Sequence, residues 1–362
     1  MTIGTPDKIK RSGELDILRF LAVLIVFFAH FTDTFNQVYQ IVPENLKYAP
    51  IFRYGPVALS LFFIISGYVV TMTSIKRNVQ EFTVTRLSRI YPLFWVSCII
   101  AFLLPRIFST HSYLAVTSVQ TFLANLTMIA PLFGQPMINP VFHTLIVELL
   151  FYLFIGITIY FKLWNRMLTV ITIMLGLCIL NGFFADQGLQ TFFPAFASGM
   201  LFYFLKTGYG SKWKIFSLLL IAVAINVYTG KVLSLDIERI YNDNIQFKLH
   251  VYMTVIILVF ILFYFISRGK FQIRNHPLFQ VLGEIAYPFY LFHIYFLVFY
   301  WYFRDMIQPD LLLLGLAISI TLISWGINVY IEKPLSHLTA KFLTYLIIKR
   351  PLRKTHINAA HV

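Results

Sequence analysis

Charge is the scarcest resource in this chain. Of its 362 residues only 12% are charged, against roughly 25% in soluble domains. The deficit falls mainly on acids, with Asp and Glu totalling 15 against 29 Lys and Arg. Cysteine is nearly absent too. Cys98 and Cys178 both fall within apolar runs, which excludes a disulfide framework. No two histidines have ligand spacing on a helix, so no metal is implied. There is no internal repeat, long linker or low-complexity tail, and the chain is expected to be one domain. Lys8, Lys10 and Arg11 precede the first apolar run in the manner of a secretory signal, but that run holds Arg19, is followed by His30 and Asp33, and lacks a small-residue cleavage site. It is expected to be retained as a span.

What fills the chain instead is apolar surface. Hydrophobic residues make up 59%, with 38 Phe and 21 Tyr, more than a soluble chain can hide. Apolar runs of about 20 residues recur along the whole length, each enough to cross a hydrocarbon core of about 30 Å. They predict an all-α polytopic membrane protein, a bundle of about ten transmembrane helices, at about 14–32, 54–74, 85–105, 140–161, 167–184, 190–206, 213–229, 249–267, 283–303 and 311–331. The stretch 113–130, punctuated by Thr117, Ser118, Gln120 and Asn125, reads as an interfacial or re-entrant helix. Residues 1–13 then form a short N-terminal segment, 14–334 the membrane domain and 335–362 a basic tail.

Lysine and arginine set the orientation. Lys8, Lys10 and Arg11 precede span one, and Lys76, Arg77, Lys162, Arg166, Lys206, Lys212, Arg268, Lys270 and Arg274 follow even-numbered spans. The tail adds Lys349, Arg350, Arg353 and Lys354. The opposite loops are poorer, with Lys47 and Arg53, then Arg106, none near Asp186, Lys231 and Arg239 among acids, and Arg304. Both termini are therefore expected in the cytoplasm, in a cell (inner or plasma) membrane. The net charge of +14 follows from this bias. It reads as basic loops facing anionic membrane lipid, with no nucleic-acid partner.

Polar groups at membrane depth are costly unless they pair or line a cavity, so each is a candidate. Arg19 and His30 stand eleven positions apart in the first apolar run. At 100° per residue they return to within ~20° of one direction, separated by ~16 Å of rise. Arg19 can snorkel or pair with a neighbouring helix, or clamp an anion at a cavity mouth, since a guanidinium fork suits phosphate oxygens. His30 can be a hydrogen-bonded boundary residue, or a general base or nucleophile.

Span three opens with Thr85-Arg86-Leu87-Ser88-Arg89-Ile90-Tyr91-Pro92. Two arginines in a first turn oppose the helix dipole, a conflict that a bound anion would relieve. Contact with lipid phosphate is the other reading. In span two, Gly67 permits close helix approach, and Ser66, before Tyr68, can bond its own backbone or a neighbour. Glu148 in span four has no basic residue within a helical turn, so its partner must come from another span, unless it stays protonated as a structural group. His143 lies ~140° away around that helix and does not pair with it. In span nine, Pro288 is expected to kink the helix near Tyr287 and His293. Span ten is expected to stop at Glu332-Lys333-Pro334, with Glu332 mainly structural.

Arg19 followed after ten residues by His30 resembles the signature of the membrane-bound acyltransferase-3 family, integral-membrane carbohydrate O-acyltransferases. The likeness continues through Phe62-Phe63 with Ser66-Gly67-Tyr68, through Arg86, Arg89, Tyr91 and Pro92, through Leu145, Glu148, Phe151 and Tyr152, through Tyr287, Tyr290, Leu291 and His293, and through Glu332 and Pro334. These five further clusters follow the family's order over nearly the whole chain. His143-Thr144 departs from the family's usual Trp-Ser, and Ala286 stands where Ser is common; His143 receives no role.

The resemblance implies transfer of an acyl group, usually acetyl, from cytosolic acyl-CoA to a sugar hydroxyl of a cell-surface polysaccharide, a lipopolysaccharide or a lipid-linked glycan. It implies that Arg19, Arg86 and Arg89 hold CoA phosphates, and that His30 deprotonates the acceptor or briefly carries the acyl group. Glu148 is expected to orient His30 or stabilise its cation. Acyl-CoA is then the donor substrate and a carbohydrate the acceptor; the sequence sets no oligomeric state. A secondary transporter or lipid-linked sugar flippase would also use intramembrane charges and a kinked helix. Against it stand the missing inverted repeat and the concentration of cations at one mouth.

Overall fold

The structure, a computed structural model, describes residues 12–34, 49–52, 54–108, 116–184, 189–241 and 248–348. Lys8, Lys10, Arg11, Lys47, Arg53, Asp186 and the tail cations Lys349, Arg350, Arg353 and Lys354 lie outside them. The described residues are helical, with no strand among them. The main elements are α1 (Gly13–Ala29), α2 (Gly55–Ser74), α3 (Val79–Ile107), the short α4 (Val119–Asn125), α5 (Phe142–Tyr160), α6 (Met167–Phe184) and α7 (Leu189–Thr207). There follow α8 (Lys212–Tyr241), α9 (Leu249–Ser267), α10 (Pro277–Phe292), α11 (Leu297–Phe303), α12 (Pro309–Ile327) and α13 (Lys333–Ile348). Among the described residues, 9 helices are long and apolar enough to cross a membrane.

Span six, expected at 190–206, forms as α7 but is not one of the 9. Gln190, Thr191, Pro194, Ser198 and Lys206 dilute its apolar character. Ala195 to Leu205 are all buried, so this helix is surrounded by protein and has little lipid to satisfy. Span three starts at Val79, six residues before the expected Thr85. Its first turn is closed by a capping box, in which Asn78 accepts from the Glu81 N–H at 2.8 Å and the Glu81 carboxylate reaches back to the Asn78 N–H. Those polar residues hid the start from an apolar-run reading.

Pro288 lies inside α10, and a 3-10 turn, His293–Phe296, follows before α11. Two expectations about breaks are corrected. Pro334 does not stop span ten, because a continuous helical stretch of 40 residues runs from Pro309 to Ile348. A π-turn, Asn328–Glu332, precedes the proline, and the Lys333 N–H bonds the Asn328 carbonyl. That one-residue widening moves the ladder off the carbonyl that the proline ring would strike. The stretch 113–130, where described, is not one helix: α4 is followed by a 3-10 turn, Ala130–Phe133. Asn125 ties the segment together, donating to the Thr121 and Pro136 carbonyls and accepting from the Ile138 N–H.

The chain divides into two compact units. The first contains residues 1–41, 47–76 and 157–283. Within it α7 is central and packs against α2, α6, α8 and α9. A Cβ on Gly67 would lie 2.2 Å from the Phe196 carbonyl oxygen, and one on Gly199 2.1 Å from that of Ile64. Only glycine allows α2 and α7 to approach so closely. The Phe63 and Phe196 rings meet beside this contact at 4.7 Å.

The second unit contains residues 42–46, 77–156 and 284–362. Within it α13 packs along α3, and α11 against α12. The Tyr91 hydroxyl and Trp95 indole donate to the Thr127 and Leu126 carbonyls at 3.1 and 3.0 Å. These bonds fasten the segment after α4 to α3.

Candidate active site

In the first unit the candidate groups begin on α1. The helix is unbroken from Gly13 to Ala29, and His30 opens a π-turn, His30–Thr34. The register that places Arg19 and His30 on one face is therefore intact, and both side chains are half-buried. Arg19 has a partner that sequence reading missed: Asp16 Oδ1 lies 3.7 Å from its Nη1. The signal was available as an i, i+3 acid–base pair. Asp16 and Glu14 are both buried, and both sit where the α1 dipole favours carboxylates. Glu14 accepts from the Ile273 N–H at 3.3 Å. A Cβ at Gly283 would fall 2.2 Å from Asp16 Oδ1, so glycine there leaves space for the carboxylate.

Tyr68, on α2, is 2% exposed. Its hydroxyl has no hydrogen-bond partner among the described residues. The Lys206 ammonium lies 5.8 Å from its ring centroid, and the Tyr203 ring meets it edge-on at 5.6 Å. Ser66 and Gly67 are buried on the same helix.

The second unit concentrates cations. Arg86 is 2% exposed, and its guanidinium lies 5.6 Å from the Phe82 ring centroid and 5.5 Å from that of Tyr152. Burying a cation between two aromatic faces recovers part of its lost hydration. The Tyr152 hydroxyl donates to Glu148 Oε1 at 2.5 Å, and Glu148, Arg89 and Arg77 all act electrostatically on Arg86. Arg89 makes no hydrogen bond or ion pair among the described residues, but it lies within electrostatic range of Tyr152, Tyr287 and Glu332. Arg77 sits in the connection before α3, where burial lowers its pKa and Glu81 opposes the shift. Three carboxylates, Glu81, Glu148 and Glu332, lie in range of these three arginines, so the region is near balance, and the deeply buried Arg86 is its most costly charge.

Arg86 and Arg89 were expected in a first turn, opposing the helix dipole. With α3 beginning at Val79, they stand about two and three turns inside it, and Glu81 already satisfies the dipole. The case for an anion rests instead on the buried guanidinium.

The remaining groups form a hydrogen-bonded frame. Tyr287 donates to the Ile90 carbonyl at 2.7 Å. The Tyr290 hydroxyl pairs with Thr144 Oγ1 at 2.7 Å. His293 is wholly buried, with Nδ1 2.6 Å from the Tyr290 carbonyl oxygen; a carbonyl only accepts, so Nδ1 carries the proton. Tyr295 joins Ser97 and Asn139 at 2.6 and 3.1 Å. Glu332 accepts from Asn328 at 2.9 Å, and Lys333 pairs with Glu284 at 2.8 Å. His143 bonds the Pro140 carbonyl. Among the described residues no group of three His, Cys, Asp or Glu side chains could hold a metal ion.

The second unit holds a buried guanidinium with two more in electrostatic range, and in the first unit α1 carries Arg19, with His30 at its end. No curated protein and no solved structure matched the chain. The family model described as an acyltransferase domain matches residues 12–329, which take in Arg19, His30, the arginines of α3, Glu148 and His293. The chain belongs to the acyltransferase-3 family, and it is a multi-pass membrane acyltransferase.

Proposed function

We propose that the protein transfers an acyl group, acetyl in the simplest case, from cytosolic acyl-CoA to a hydroxyl of a cell-surface or lipid-linked carbohydrate. The observation that carries this reading is the deeply buried Arg86 guanidinium, with Arg89 and Arg77 in electrostatic range. CoA carries phosphates at both ends of its pyrophosphate–ribose portion, and a guanidinium fork matches their oxygens. We assign Arg86, Arg89 and Arg19 to those phosphates. Both termini then lie in the cytoplasm of a cell membrane, the side from which acyl-CoA arrives.

His30 acts as the general base. It takes the acceptor's proton as the sugar oxygen attacks the thioester carbonyl. The C–S bond then breaks, and the imidazolium returns that proton to the departing CoA thiolate. Imidazole suits both steps because it titrates near neutrality. Glu148, expected from sequence to orient His30, has Tyr152 and Arg86 as partners within its own unit. We assign it to holding the guanidinium in place.

The test is purified full-length protein with acyl-labelled acetyl-CoA and a lipid-linked glycan acceptor. Acceptor-dependent CoA release that disappears in His30→Ala, with CoA binding retained, supports the reading. Sugar movement across the bilayer without CoA release would instead identify a transporter. Label trapped on the protein without acceptor would assign His30 as a nucleophile.

A further inference from the structure

The helical stretch from Pro309 to Ile348 is 40 residues long, about 60 Å at 1.5 Å per residue, twice the hydrocarbon thickness of about 30 Å. Its composition changes at the π-turn. Leu311 to Ile327 holds no charged residue, whereas from Lys333 to Val362 the sequence has Lys333, Lys341, Lys349, Arg350, Arg353 and Lys354 and no acid. The α13 portion also lies beyond residue 329, where the family match ends.

One side of α13 packs along α3, with Gln80 Nε2 donating to the Ile347 carbonyl at 3.5 Å. The other side is exposed as two adjacent rows, each stepping by four residues. One row is Lys333, His337, Lys341 and Tyr345. Beside it runs an apolar row of Pro334, Leu338, Phe342 and Leu346. Leu338 and Phe342 are each 61% exposed and Tyr345 is 81% exposed. Lys333 is paired with Glu284, but Lys341 has no ion pair among the described residues.

Cations interleaved along this face exclude a position deep in hydrocarbon, and three bulky apolar side chains disfavour bulk water. A bilayer surface satisfies both rows: apolar side chains enter the acyl boundary while Lys and Tyr reach headgroups. The hydrocarbon crossing ends near the π-turn, where helices can bend, and a bend there would lay α13 along that surface. A run of cations without a single acid complements anionic headgroups.

We propose that α13 is a lipid-docking helix, seating its Leu338–Phe342–Leu346 row in the membrane surface with Lys341 against the phosphates of anionic lipids. This surface is separate from the arginine cluster and does not depend on the acyl-transfer reading.

The test uses the full-length protein in nanodiscs, with Phe342→Cys carrying an environment-sensitive fluorophore. The labelled parent corrects for Cys98 and Cys178, which are buried. Nitroxide on lipid acyl chains should quench the label several-fold more than aqueous iodide. The difference should grow when phosphatidylglycerol replaces phosphatidylcholine, and Lys341→Glu should abolish that growth. Iodide quenching equal to nitroxide quenching would place the helix in water and overturn the proposal. Protection from both quenchers would mean a protein partner or second copy covers the face, and would also overturn it. An increment that survives Lys341→Glu would overturn the anionic-lipid assignment. Leu338→Cys gives the same readings should Phe342→Cys fail to fold.

Discussion

Substituting alanine for Gly67 or Gly199 tests the contact on which the first unit is built. A Cβ at Gly67 would meet the Phe196 carbonyl oxygen at 2.2 Å and that residue's Cα and C at 2.9 Å. At Gly199 it would meet the Ile64 carbonyl oxygen at 2.1 Å and the Tyr68 N at 2.6 Å. Ordinary contact begins near 3.4 Å, so α2 and α7 must part by more than about 1 Å. The obstructing atoms are backbone, with no flexible side chain to swing aside. The cost therefore belongs at the upper end of the 1–3 kcal/mol typical of overpacking, about 3 kcal/mol. Gly156→Ala and Gly176→Ala are the controls, because nothing lies within 4 Å of a Cβ there. Each should be neutral, or stabilising by up to about 1 kcal/mol from helix propensity. The assay is thermal unfolding in detergent with a fluorogenic maleimide, since both thiols are buried and react only once the bundle opens. Gly67→Ala and Gly199→Ala should melt several degrees below the parent, and the controls at or above it. If Gly67→Ala melts with Gly176→Ala, the close approach of the two helices is wrong.

Other expectations are shorter to state. Arg19→Ala should weaken acyl-CoA binding by roughly tenfold or more, as loss of a charged hydrogen bond of 1.5–3 kcal/mol requires; unchanged binding by calorimetry would remove Arg19 from the donor site. Tyr152→Phe keeps the ring beside Arg86 but deletes the hydrogen bond to Glu148, and should lower kcat/KM about 10-fold. Tyr152→Leu, which also loses the ring, should be worse; equal effects would mean that the aromatic face contributes nothing. Single cysteines placed within 268–276 should react with impermeant maleimide only from the cytoplasmic side, and reaction from outside would invert the orientation.

The helices were legible wherever a run was uninterrupted. Spans two, four, five and eight fall within a few residues of their expected positions because apolar length alone defines them. Boundaries written in polar residues were not. The capping box at Asn78 and Glu81 sits outside any hydropathy signal, and it turned a supposed dipole conflict at Arg86 and Arg89 into an ordinary mid-helix placement. Pro334 read as a stop because local rules see the missing N–H, whereas the π-turn that accommodates it is a property of the whole ladder. At the candidate site, the arginines, Glu148 and His293 were visible as isolated polar letters at membrane depth. Their distant partners were not: that Tyr290 joins Thr144 across 146 positions depends on tertiary packing. Asp16, three residues from Arg19, and Tyr152, four from Glu148 on the same helix, were readable from spacing.

The grip of Tyr91 and Trp95 on the segment after α4 has an evolutionary corollary. Both donors hold main-chain oxygens, and every residue type supplies those atoms. Position 126 can therefore change identity without releasing the fastening, so long as the backbone path is kept. Position 127 is more constrained, because the Thr127 hydroxyl donates to the Ala124 carbonyl and accepts from the Ile129 N–H, holding the path that both donors need.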